Sequence, residues 1–311
     1  MRKYPSRRGD KPLELCALLD HGTPRLVRAE AFRLFRAWHP SSAFLPVKRV
    51  FVAVTRLYSG RFPGFKACST EYHDLYHSLE VFSSSARLLD GALLAGRRIG
   101  AEGAVDLLAA ALLHDAGYIQ EEGDGSGTGA KFTKTHVDRS AAFTRSHARE
   151  LGLDDRRAAR VSRIILGTDL ARQWSGLAFE SEEEGFLASI LAAADLLGQM
   201  ADRAYLERLL FLYYEFREAG IEGYATAFDI LKKTAGFYSA VKARLDGPLG
   251  GASAYARLHF ARRYGEDRDL YREAIDRQMA YLDAIVADAS TNFRKKLHRL
   301  DLETVERERR A

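Results

Sequence analysis

Residues 71–82, EYHDLYHSLEVF, place His73 and His77 four positions apart among apolar and aromatic neighbours. That spacing predicts one helix face carrying two imidazoles. Two readings compete at this point: a satisfied polar pair at the edge of a core, or one wall of a metal site. Thr70 is a good N-cap for such a helix, and Leu79, Phe82, Leu88 and Leu89 carry the helical spacing onward. Just upstream, SGRFPGFKACST (59–70) reads as a loop. RVFVAVTRLY (49–58) has the β-branched content of a strand, yet its neighbours favour helix.

The pattern extends in both directions. AEGAVDLLAAALLHDAGY (101–118) is rich in Ala and Leu and predicts a strong helix ending near Gly117. Helical spacing resumes over 136–152, 154–167, 182–203, 204–219, 224–245, 253–263 and 267–299, with short breaks between. The chain therefore reads as all-α: one helical domain over 46–300, an N-terminal elaboration over 1–45 and a charged tail over 301–311. The glycine-rich EEGDGSGTGAK (121–131) invites comparison with a phosphate-binding loop. That motif needs Gly before its Lys, whereas Ala130 precedes Lys131 and no strand leads in. A mobile surface segment is expected there instead.

Composition narrows the classes. The 311 residues are 47% hydrophobic and 29% charged, with a net charge of +5. Basic residues alternate with acids, which predicts solvated helix faces and no nucleic-acid partner. A basic pocket for a small anion remains compatible. Two cysteines, Cys16 and Cys68, make neither a disulfide framework nor a zinc finger, and a cytoplasmic location is expected. MRKYPSRRGD has no apolar run behind it, so no signal peptide is expected, and the apolar runs are too short for a membrane span. Self-association stays open.

The ionisable residues in apolar surroundings carry the chemistry. His114 and Asp115 end a nearly pure apolar helix, and Asp195 sits within SILAAADLLGQM (189–200). Burying such groups is costly unless they are paired or bind a cation. Imidazole and carboxylate together suit a divalent ion such as Zn, Mn, Mg, Fe or Ni.

The ordered set His77, His114–Asp115, Asp195 resembles the HD superfamily of metal-dependent phosphohydrolases, H…HD…D. YHDLYHSLEV is similar to the YHNxxHAxDV motif of class I cyclic nucleotide phosphodiesterases, VSRIILGTDLARQW (161–174) to their ILATDM segment, and LAAADL to their HCADL segment. The resemblance spans about 46 to 200. It implies a helical bundle around a buried site of one or two divalent ions, acting on a small anionic phosphoester by an activated water. It makes His77, His114, Asp115 and Asp195 metal ligands, with Asp115 bridging to a second ion. It makes His73 the group that protonates the leaving oxygen. His136, in THVDRSAAF, resembles an additional histidine of bacterial HD proteins and is a candidate for the second metal or the substrate. Asp169 is a substrate-side candidate, and Lys131 and Lys134 are candidate phosphate contacts if the glycine-rich loop folds over. The purine-clamping glutamine of the phosphodiesterases has no counterpart at Gln199 or Gln278, so cyclic nucleotides are not expected as substrates. A non-catalytic HD signalling module and a di-iron oxygenase are the alternatives.

Overall fold

The computed structural model describes residues 12–288, 290 and 292–300. The charged tail expected over 301–311 lies outside them. Twelve α-helices appear among these residues and no strand: α1 (Pro24–Phe35), α2 (Leu45–Tyr58), α3 (Leu75–Leu94), α4 (Ala101–Leu113), α5 (His136–Ser146), α6 (Ala148–Leu151), α7 (Asp155–Ile165), α8 (Glu182–Ala201), α9 (Tyr205–Glu218), α10 (Ala227–Asp246), α11 (Tyr255–Tyr264) and α12 (Leu270–Ala287). The all-α expectation holds, and 49–58 is helical as read. No described helix is long and apolar enough to cross a membrane.

The bundle is built around α3. Every residue from His77 to Ala92 is buried, and α8, α11, α4 and α1 pack on it. A helix enclosed on all sides must pair its polar groups internally. Arg87 is fully buried and meets Glu30 of α1 at 3.1 Å and the Tyr271 hydroxyl of α12 at 3.2 Å. Asp90 accepts from Trp38, His259 and Arg263. Gly91 is needed at the α11 crossing, because a β-carbon there would lie 1.9 Å from the Tyr255 carbonyl oxygen. Residues 12–44 share the central core through Glu30 and α1.

Helix α7 lies across α4 and α8 with its apolar face inward. Arg157 and Arg160 pair with Asp106 of α4, and Arg163 pairs with Glu184 of α8. This clamp fixes the two helices that carry His114–Asp115 and Asp195.

Three boundaries differ from the sequence reading. Helix α3 begins after Asp74 instead of at Thr70. The Asp74 carboxylate caps it by accepting from the His77 amide at 2.9 Å, while the Thr70 hydroxyl donates to the His73 carbonyl and closes a turn. Helix α4 stops at Leu113, and residues Ala116–Tyr118 form a 3-10 turn. The helix expected over 267–299 ends at Ala287, with a separate 3-10 turn at Phe293–Lys296.

Candidate metal centre

His77 occupies the first turn of α3, His114 and Asp115 follow the last turn of α4, and Asp195 lies in the third quarter of α8. His77 Nε2 is 3.3 Å from Asp115 Oδ2, 3.3 Å from Asp195 Oδ1 and 3.3 Å from His114 Nε2. His114 Nε2 is 3.3 Å from Asp115 Oδ2 and 3.8 Å from Asp195 Oδ1. Ligands held about 2.0–2.1 Å from a tetrahedral ion stand about 3.3 Å from one another, so these separations match the edges of a coordination sphere. Asp115 Oδ2 is buried without a hydrogen-bond partner, as an atom reserved for a cation would be. His77, His114 and Asp115 fit a divalent ion by donor type as well as by spacing, and Asp195 adds a carboxylate oxygen beside His77.

Local chemistry aims each ligand. His114 Nδ1 donates to the Ala111 carbonyl at 3.0 Å, which leaves Nε2 with a free lone pair when the ring is neutral. The Gln199 amide donates to Asp195 Oδ1 at 3.3 Å and accepts from the Tyr72 hydroxyl at 2.7 Å. Burial opposes charge on His77, but its close contacts with the Asp115 and Asp195 carboxylates outweigh this and raise its pKa to about 10. Burial likewise pushes the Asp115 carboxyl up, and His114 and His77 pull it down further, to well below the usual carboxylate range. A proton on His77 is therefore what balances the two carboxylates when no ion does so.

Asp115 faces two ways. Its Oδ1 lies 3.6 Å from His136 Nε2, on the side away from His77. His136 starts α5 and is oriented by its Nδ1 on the Thr133 carbonyl at 2.7 Å. Gly117 makes this approach possible: a β-carbon there would come within 2.1 Å of the His136 carbonyl oxygen.

His73 is not on the helix face of His77, contrary to the four-residue spacing; it precedes the N-cap, in the turn that leads into α3. Glu215 of α9 holds that turn. Its Oε1 accepts from the amides of Glu71 at 3.1 Å and Tyr72 at 2.8 Å, and its Oε2 meets His73 Nδ1 at 2.5 Å. Burial alone would raise the Glu215 carboxyl, but His73 and the amides bring it below its ordinary value. Tyr118 stacks on both His73 and His136, with ring centroids 4.3 Å and 4.5 Å away, and the two imidazoles lie 6.0 Å apart. The imidazole from the opening stretch thus stands beside the cluster of His77, His114 and Asp115, held by its own carboxylate.

The other candidates divide. Asp169 lines the same cavity, but its carboxylate is held by the Ala171 amide and Arg172. Lys134 stands at the mouth with its ammonium on the Gly220 carbonyl. Lys131 does not line the cavity; it bonds to the Gly125 and Ser126 carbonyls within its own loop. That loop is exposed over much of its length and is tied down by Lys66 on the Asp124 carbonyl and by Glu218 on Thr128. Sequence reasoning missed Glu215, Tyr118 and the ligand-orienting role of Gln199. Glu215 had a visible signal, a carboxylate within the aromatic run FLYYEF.

No curated protein and no solved structure matches the chain. Residues 63–245, more than half of its length, match the Npun_R2479-like family, and the matched stretch contains every residue of the cluster together with His73 and Glu215. The chain belongs to the Npun_R2479-like family.

Proposed function

We propose that this protein is a metal-dependent phosphohydrolase of the HD type, cleaving a phosphoester of a small molecule. The observation that carries the reading is the convergence of His77, His114, Asp115 and Asp195, from three separate helical regions, beside a histidine that is no part of the ligand set. A divalent ion held by these four residues supplies an acidified water and neutralises charge on the phosphoryl oxygens. The second oxygen of Asp115, with His136 Nε2 beside it, would give a further ion two donor atoms. His73 keeps its Nδ1 on Glu215 and has its other ring nitrogen for a proton, which it delivers to the departing oxygen. Glu215 fixes the ring, as a buried carboxylate does for a catalytic imidazole. General-acid help of this kind is worth about 10²–10⁴ in rate.

The experiment is chelator treatment followed by reconstitution with single divalent ions, with turnover of bis-p-nitrophenyl phosphate and a nucleotide panel as readout. Metal-restored hydrolysis is expected, with weak or no turnover of cyclic AMP and cyclic GMP. His114→Ala and Asp115→Ala should each lose the ion by elemental analysis, and full retention in both would sink the ligand assignment. Bound metal without turnover of any phosphoester would favour a binding module, and oxygen consumption by the iron form would favour an oxygenase.

A further inference from the structure

The cavity beside the cluster has a volume of about 450 Å³, and its far wall is a helical hairpin. From α9 come Tyr205, Leu209, Leu212 and Phe216, whose spacing puts them on one face. From α10 come Ile230, Thr234 and Phe237, again one face, and the connection between the helices adds Ile221 and Tyr224. Leu170 and Phe237 remain 51% and 37% exposed although large and apolar, and both border this cavity.

Several polar groups of the cavity away from the cluster are engaged within the protein. No arginine or asparagine lines it among the described residues, and its one amide, Gln199, is held between Tyr72 and Asp195. Thr168 and Thr234 donate to the Ile165 and Ile230 carbonyls of their own turns. Lys134 and Lys233 bond to the Gly220 and Gly223 carbonyls of the hairpin connection. Asp138 and Asp169 are both held by Arg172.

We infer that the molecule bound here carries one anionic phosphoryl group on an apolar body, an alkyl or aryl phosphoester, and is not a nucleotide. The phosphoryl chemistry rests on the phosphohydrolase reading; the apolar body rests on the hairpin wall. A nucleobase presents several polar edge atoms, and each one desolvated without a partner weakens binding about tenfold. A second or third phosphate would have only Lys134 and Lys233 to meet it, and both ammoniums already bond to carbonyls of the hairpin connection. An alkyl chain loses nothing against Leu209, Leu212 and Phe216, and each methylene buried there tightens binding about fourfold.

The test measures binding without turnover. Methyl-, butyl- and hexylphosphonate are titrated into the metal-loaded full-length protein by calorimetry, beside adenosine monophosphate. Affinity should rise at least a hundredfold from methyl to hexyl, and the nucleotide should bind no tighter than butylphosphonate. Leu212→Asn should lower the hexyl-to-methyl affinity ratio at least tenfold. A flat series, or a nucleotide tighter than hexylphosphonate, overturns the inference. Turnover of methyl and hexyl p-nitrophenyl phosphate is followed in parallel. A steep binding series with no turnover supports the apolar occupant while removing the hydrolase reading. Turnover with a flat series removes only the apolar occupant.

Discussion

Ion binding at this centre should be governed by one proton. His77 Nε2 faces Asp115 and Asp195 at 3.3 Å each, and these contacts hold its proton up to about pH 10. An incoming ion must displace that proton, so apparent affinity falls about tenfold for each pH unit below 10. Between pH 9 and 7 the loss is about a hundredfold, with close to one proton released per ion. His114 is raised too, against its own burial, by Asp115 and Asp195, so the dependence should steepen further toward acid. The same proton acts on stability. A group whose pKa is raised by folding contributes below its unfolded value, here 6.5, and that contribution is lost as pH climbs toward about 10. The metal-stripped protein should therefore weaken across that window by on the order of 1 kcal/mol per pH unit, and the Mn²⁺ form should not. The assay is Mn²⁺ titration by calorimetry at pH 7, 8 and 9, in buffers of different ionisation enthalpy, beside melting curves of both forms. Affinity that is level across this range, or binding at pH 8 with no proton released, would refute the argument.

Four other outcomes are expected. His73→Ala should keep its metal and lose about 10²–10⁴ in kcat/KM on an alkyl phosphoester, but far less on a p-nitrophenyl ester, whose leaving group needs little protonation; equal losses on both would remove the acid role. Glu215→Gln should reproduce that selective loss in milder form with metal content unchanged, and losing the ion instead would make Glu215 part of the ligand architecture. Asp90→Ala strips the buried His259, the partly buried Arg263 and the exposed Trp38 of a shared acceptor and should cost about 3–5 kcal/mol, read as a melting temperature lower by roughly 10 °C; an unchanged melt would show that the network is not what ties α11 to α3. Gly117→Ala must push α5 away from the 116–118 turn, because its β-carbon would otherwise sit 2.1 Å from the His136 carbonyl; a lower melting temperature with displaced His136 resonances is expected, and a wild-type spectrum would count against the close approach.

The sequence revealed most where burial clashes with charge. His114, Asp115 and Asp195 each interrupt an apolar run, and the structure brings all three together with His77. What it concealed depends on partners far along the chain. Thr70 and Asp74 are both good caps on local grounds; Asp74 prevails in a turn also bound by Glu215 and by Arg208, which meets the Tyr72 carbonyl and Asp74 itself. No spacing rule links Glu215 to His73, which lies 142 residues earlier. Gly117 looked like the natural end of α4, yet its lack of a side chain serves the α5 crossing, and the helix stops four residues sooner. Lys131 follows a glycine-rich run that could have swung toward a phosphate, and its loop instead offers it carbonyls close at hand.

Helix α9 carries two things on one rigid body: the carboxylate that aims His73, and the Leu209, Leu212 and Phe216 face that a bound molecule would press against. On the proposed chemistry, the shape of the substrate is thereby tied to the alignment of the acid. A molecule that fills the wall correctly leaves Glu215 and His73 in register. One that is too bulky pushes the helix, and a shift of a fraction of an ångström at Glu215 reaches the imidazole through a 2.5 Å contact. Discrimination should then appear as slow turnover of molecules that still bind, so a poor fit would be read by the protein as a misplaced proton instead of a missed encounter.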